Sequence, residues 1–374
     1  MSSKVSVIGL GDFAPIFPLT KKNSAVNDVW DYLNQKDIVL ANLELPLTTS
    51  EVKADKAITL KAHPDISNSL SLSGIDVFTL ANNHALDFGS QGILETKKLL
   101  QEEGFISVGA GEDLASAIRP HYLTLKETKI AILGFSSALP TGYAAGVGRP
   151  GIAPIRAIAR FRIDSMTLDE QPGMAPWVET SVVIKDQEMA CEVITQAKRQ
   201  ADVVIVNMHW GVPNGWCAAF QGPLADYQRP LAHALIDAGA DFILGHHPHV
   251  IHGVEKYNEG IIAYSLGNFL FHSMGNKGEH RLKVGDPPYD VMSLETGEAR
   301  EAVVMEINLE EKKKQRIHFY PVTLNSEGEP EFLTGRRAKE VLHRLKRHSE
   351  KLQTQLCIEN DAVASLKLAS PIHF

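Results

Sequence analysis

The sequence predicts an α/β protein built on a mainly parallel sheet, and three observations carry this. Strand and helix signals alternate along most of the chain, which implies parallel strands joined by crossovers. The strands end in polar residues able to bind ligands or carry protons, as expected where α/β sheets hold their sites. At 374 residues, 44% of them hydrophobic, the chain can bury a sizeable core.

In chain order, "KVSVIGLGD" reads as a buried strand ending at Asp12, and "SAVNDVWDYLNQ" has helical spacing. "DIVLANLE" is a strand ending at Glu44, with Asn42 just before it, and "DISNSLSLSG" reads as a helix. "IDVFTLANNH" is a strand ending at Asn83 and His84; "SQGILETKKLLQEEG" is a helix stopped by Gly104. "KIAILGFSS" is a further strand. The pattern resumes with the helix "DQEMACEVITQAKRQA", the strand "DVVIVNMHWG" ending at His209, and the helix "YQRPLAHALIDAGA". "DFILGHHPH" is a strand ending in His246, His247 and His249, and "GIIAYSLGNFLF" is one strand carrying Asn268. "EAVVMEINLE" and "QRIHFYPVTLN" look like a late β-pair, followed by the helix "RRAKEVLHRLKRHSEKLQTQL". We expect a domain over residues 1–325 with inserted loops at about 138–179 and 272–300, and a C-terminal helical extension over 326–374.

Composition excludes several functions. A formal charge of −8 argues against an obligatory nucleic-acid partner. Cys191, Cys217 and Cys357 are widely spaced, which disfavours a disulfide framework or thiolate zinc site. No stretch reaches the ~20 apolar residues of a membrane helix, and "MSSKVSVIGLGDF" lacks the apolar region of a signal peptide. A cytoplasmic protein with a small-molecule substrate and no membrane partner is expected; the sequence is silent on oligomeric state.

The polar strand ends form a chemical set. Carboxylates, imidazoles and a side-chain amide without thiolates suit one or two divalent ions such as Mn, Zn or Fe. His247 and His249, at i and i+2, would share one face of an extended strand. In a turn leaving the strand, they can reach two ions about 3.5–4 Å apart, with Glu44 bridging them. Taken singly, these residues have plainer readings: Asp12 as a turn cap, Asn83 as a helix cap, and Asn268 as either a pocket hydrogen bond or a strand-end turn. Trp210 reads as a pocket wall, and His121, His233, His252 and His272 as surface or packing residues.

The ordered motifs "GD", "NLE", "ANNHALD", "HWG", "GHHPHV" and "SLGNF" resemble the CapA family of capsule and poly-γ-glutamate synthesis, related to the calcineurin-like metallophosphatases. The resemblance covers about residues 4–270. It implies an αββα two-sheet sandwich of the metallophosphatase type with a dinuclear site at its rim. It also implies that Asp12, Glu44, Asn83, His209, His247 and His249 are metal ligands and that His84 is the general acid or transition-state stabiliser. His246, Asn42, Trp210 and Asn268 are left as substrate contacts or supports for the ligands. Two positions depart from the phosphatase pattern: Ala14 stands where the Asp-x-His histidine would be, and Glu44 replaces an aspartate. Three functions are then open. The chain is a metal-dependent hydrolase of a phosphoester or an amide, a component of capsule or poly-γ-glutamate synthesis, or a non-catalytic metal-binding scaffold.

Overall fold

The computed structural model describes residues 4–56, 58–211, 223–272, 294 and 297–367. The first strand, Lys4–Ala14, is the axis of a ten-stranded sheet. On one side it runs parallel to Ile38–Leu43, followed by Val77–Thr79 and Ile106–Val108. On the other it pairs antiparallel with Glu301–Glu310, followed by Lys313–Leu324 and the hairpin Cys357–Asn360/Val363–Lys367. A six-stranded sheet has the order Val254–Tyr257, Gly260–Ala263, Phe242–His246, Val203–His209, Thr128–Ser136 and His121–Leu125. Its four middle strands are parallel.

Strand alternation divides the apolar residues among three cores. Val5, Val7, Ile38 and Leu40 of the larger sheet pack with Ile130, Ile132, Ile205 and Leu244 of the smaller one. Their neighbours Ile8, Leu10, Val39 and Ala41 point the other way, onto Val26, Trp30 and Leu33 of the helix Ser24–Leu33 and Ile93 and Leu100 of the helix Gly89–Glu102. On the far side, Val204, Val206, Met208 and Ile243 meet Ala190 and Ile194 of Ile184–Lys198 and Leu231 and Leu235 of Gln228–Asp237. Strands buried on both faces explain why they read as continuous apolar runs.

The residues expected as an extension contribute to the shared core. Ala338, Val341, Leu342 and Leu345 of the helix Gly335–Glu350, with Leu356, Ala364 and Leu366 after it, pack between the sheets. The expected loop at 138–179 contains the short helix Ser165–Glu170 and most of the hairpin Ala157–Arg162/Trp177–Val182. The expected loop at about 272–300 lies largely outside the described residues, as does Cys217. Among the described residues, no helix is long and apolar enough to cross a membrane.

Two elements differ from expectation. "DISNSLSLSG" is not one helix: a four-residue helix, Ser67–Leu70, stands between 3-10 turns. Ser69 Oγ donates to the Ile66 carbonyl at 2.8 Å and Ser73 Oγ to that of Leu70 at 2.6 Å, local bonds that compete with a continuous helix. "GIIAYSLGNFLF" is two strands in different sheets. Gly260–Ala263 lies in the six-stranded sheet, and the chain then crosses so that Asn268–Phe271 pairs with Lys4–Ala14. Glycine is required at the crossing. Gly267 has φ of +82°, and a Cβ on Gly11 would lie 1.8 Å from the Gly267 carbonyl oxygen. That oxygen accepts from the Asp12 amide at 2.9 Å.

Candidate metal centre

The crossing brings the carboxyl ends of both sheets together. Asp12 is in register with Asn42 on one side and Asn268 on the other, and His209 is in register with His246. After His246 the strand ends in a turn, where His247 and His249 have φ of 99° and 57°. Such positive φ costs a non-glycine residue roughly 1–3 kcal/mol, and it sets both rings beside Glu44.

Two ligand groups result. Asp12, Glu44 and His249 offer atoms within 4.8 Å of one another, and so do Glu44, His209 and His247. Glu44 belongs to both. Its Oε1 lies 3.6 Å from His209 Nε2 and 3.7 Å from His249 Nε2. Asn83 joins the second group, with its Oδ1 at 2.8 Å from His209 Nε2. The two atoms are at hydrogen-bond distance and would separate to roughly 3.4 Å as neighbouring ligands about 2.1 Å from a tetrahedral ion.

The electrostatics favour cations. Glu44 is fully buried, and neither of its carboxylate oxygens has a hydrogen-bond partner among the described residues. Burial, and then the Asp12 carboxylate, raise its pKa well above the usual range. The imidazoles do not compensate. Burial lowers His209 well below the ordinary histidine value, His246 to about 4 and His247 to about 3. Neutral imidazoles beside a carboxylate held without a hydrogen-bond donor are what a divalent ion needs, so these residues fit the metal that the sequence implies.

The supports are specific. Asn42 Nδ2 donates to Asp12 Oδ1 at 2.8 Å while its Oδ1 accepts from Asn82 at 3.0 Å, which fixes the Asp12 carboxylate. Asn268 Oδ1 is 2.9 Å from His249 Nδ1, so a proton on Nδ1 leaves Nε2 free toward Glu44. Asn42 and Asn268 are both fully buried, and their side chains hydrogen-bond Asp12 and His249. Trp210 corrects the expectation of a pocket wall. Its ring stacks on Tyr264 in the helix-side core with centroids 5.4 Å apart, and its Nε1 donates to the Tyr264 carbonyl. Strand alternation turns it to the face opposite His209.

His84 stands beside these groups. Its Nδ1 is 2.7 Å from Asp87 Oδ2, and because a carboxylate only accepts, the proton lies on Nδ1 and Nε2 is left for a substrate. Burial lowers its pKa, against the opposing pull of Asp87. Asp87 is itself buried and also accepts from Lys56 Nζ at 2.7 Å, Tyr143 Oη at 2.8 Å and the Leu60 amide at 2.7 Å. Sequence reasoning missed these residues. Asp87 stood three positions after His84 in a quoted motif, whereas Lys56 and Tyr143 come from aperiodic segments with no local signal.

An α/β fold carrying two candidate carboxylate–imidazole ligand groups is the class that the geometry supports. The particular family follows from comparison with known proteins. The chain matches the family described as bacterial capsule synthesis protein PGA_cap over residues 11–273, and it belongs to that family. It is 32% identical over 286 residues to the PGA biosynthesis protein CapA of Bacillus subtilis, a match covering 74% of this chain and 66% of that protein. It is 34% identical over 244 residues to the capsule biosynthesis protein CapA of Bacillus anthracis, covering 64% of this chain and 52% of that protein. The matches thus span less than two thirds of either relative. A crystal structure of a hypothetical protein from Thermus thermophilus aligns with a TM-score of 0.47 at 15% identity, covering 85% of this chain and 98% of that one.

Proposed function

We propose that this chain is a metal-dependent hydrolase of a phosphoester or an amide, γ-glutamyl amides included, built on an αββα sandwich of the metallophosphatase type. One observation carries the reading: Glu44, buried and without a hydrogen-bond donor, is common to both ligand groups. Asp12, Glu44 and His249 would hold one ion; Glu44, Asn83, His209 and His247 would hold the other. When bound, divalent ions of the Mn, Zn or Fe kind polarise a substrate oxygen and activate water. His84 presents Nε2 to the leaving group. A general-acid step needs the doubly protonated ring, and Asp87, 2.7 Å from Nδ1, is the group that stabilises that form. Lys56 and Tyr143 keep the Asp87 carboxylate in place.

The test is a screen of phosphoesters and γ-glutamyl amides with Mn²⁺-loaded wild type and His84→Ala. Turnover by wild type, with metal retained and turnover lost in the variant, supports the reading. Loss of metal from His84→Ala contradicts the role given to this ring.

The family favours a second reading, a component of capsule or poly-γ-glutamate synthesis that either forms amide bonds or serves as a metal-stabilised scaffold. The scaffold form predicts tight metal binding, no turnover on any of these substrates, and function insensitive to His84→Ala.

A further inference from the structure

The histidine that ends the strand before the turn belongs to neither ligand group. His246 is 1% exposed, and neither Nδ1 nor Nε2 has a hydrogen-bond partner among the described residues. A buried neutral imidazole normally donates from one nitrogen and accepts at the other, and leaving both unmet costs a desolvation penalty with no return. His209, in register with it on the next strand, has a partner at each ring nitrogen; His246 has none. The ring is directed at the metal centre: Nδ1 lies 3.6 Å from Asp12 Oδ1. His249 approaches the other oxygen, with Nδ1 at 3.4 Å from Asp12 Oδ2. Asp12 is thus bracketed by two imidazoles, only one of which belongs to its ligand group.

We propose that His246 is a further ligand of the ion position built on Asp12 and His249. This rests on the reading of the site as a metal centre and completes it. The Asp12 position would otherwise have one imidazole, whereas the other has two and an amide oxygen. Moving the ring toward Asp12 would satisfy a nitrogen that has no other partner.

The experiment is calorimetric titration of the full chain with Mn²⁺ for wild type, His246→Ala and the shape-conserving His246→Gln, with thermal melts to establish folding. X-ray absorption on the Zn²⁺-loaded proteins counts imidazoles directly. The inference predicts two Mn²⁺ per wild-type chain. In the variants it predicts at least ~10-fold weaker binding of one ion, the scale on which support for a site is lost, and one fewer imidazole in the absorption fit. Two Mn²⁺ bound with wild-type affinity by both variants, or an unchanged imidazole count, would overturn the role of His246 and leave the metal centre standing. A wild type that binds no Mn²⁺ or Zn²⁺ would overturn the metal centre and this inference with it.

Discussion

The two candidate ligand groups share Glu44 but differ in what surrounds it. Around Asp12 the donors are carboxylate-rich: Asp12 and Glu44 with His249. Around His209 they are nitrogen-rich: two imidazoles and the Asn83 amide oxygen with Glu44 alone. With two anionic charges against one, the first group would suit a hard ion such as Mn²⁺ better, and the second Zn²⁺ or Fe²⁺. The difference arises from topology. The carboxylates come from parallel strands of the larger sheet and the segment following them, while His209, His247 and His249 come from the smaller sheet and its turn. Neither sheet alone builds a site.

The largest expected effect is that of Glu44→Gln, which removes the shared ligand. Mn²⁺ affinity should fall at both positions by more than the ~100-fold that loss of an outer-shell partner costs, read by calorimetry. The metal-free variant should nevertheless melt higher than wild type at pH 7. Burial and Asp12 hold the Glu44 pKa above its ordinary 4.5. A group shifted in that direction contributes stability only below its ordinary pKa and loses it as pH rises through the raised value.

Trp210→Ala separates packing from the site. It should cost about 3–5 kcal/mol in urea unfolding, as large core truncations do, and leave the number of Mn²⁺ ions bound unchanged. A change in stoichiometry without loss of stability would restore Trp210 to the pocket.

Asn268→Ala sharpens the comparison between positions. It frees His249 and should weaken only the Asp12 position, by about 10–100-fold, so sequential titration should show one transition moved and the other fixed.

A further effect is on pH dependence without metal. His246 and His247 are lowered from 6.5 to about 4 and about 3, so over that interval the unfolded chain binds more protons than the folded one. Their contribution is present in full above pH 6.5, is lost as pH falls toward those values, and levels off below them. Thermal melts in chelator across this range should show the decline, and saturation with Mn²⁺, which binds only the neutral rings, should extend it to lower pH.

Much of this site was legible because each group sits where an apolar run ends, and such ends are visible in one dimension. That Glu44, His247 and His249 lie together is expected from residue chemistry and the turn at a strand end, and the structure places them within reach of one another. What could not be read depends on contacts between distant segments. The crossing at Gly267 splits one apolar run between two sheets, and periodicity cannot register a change of partner. Lys56 and Tyr143 reach Asp87 from loops whose local sequence has no pattern. Trp210 adjoins His209 in sequence, yet alternation turns neighbouring strand residues to opposite faces, so adjacency in the chain does not bring it to the site.

The most direct measurement is native mass spectrometry of the intact chain in Mn²⁺, for wild type and His247→Ala. A shared Glu44 predicts two ions on wild type and one on the variant, because only the nitrogen-rich position loses a ligand. A wild type with fewer than two ions, or a variant that still carries two, would contradict a centre in which Glu44 joins the two positions.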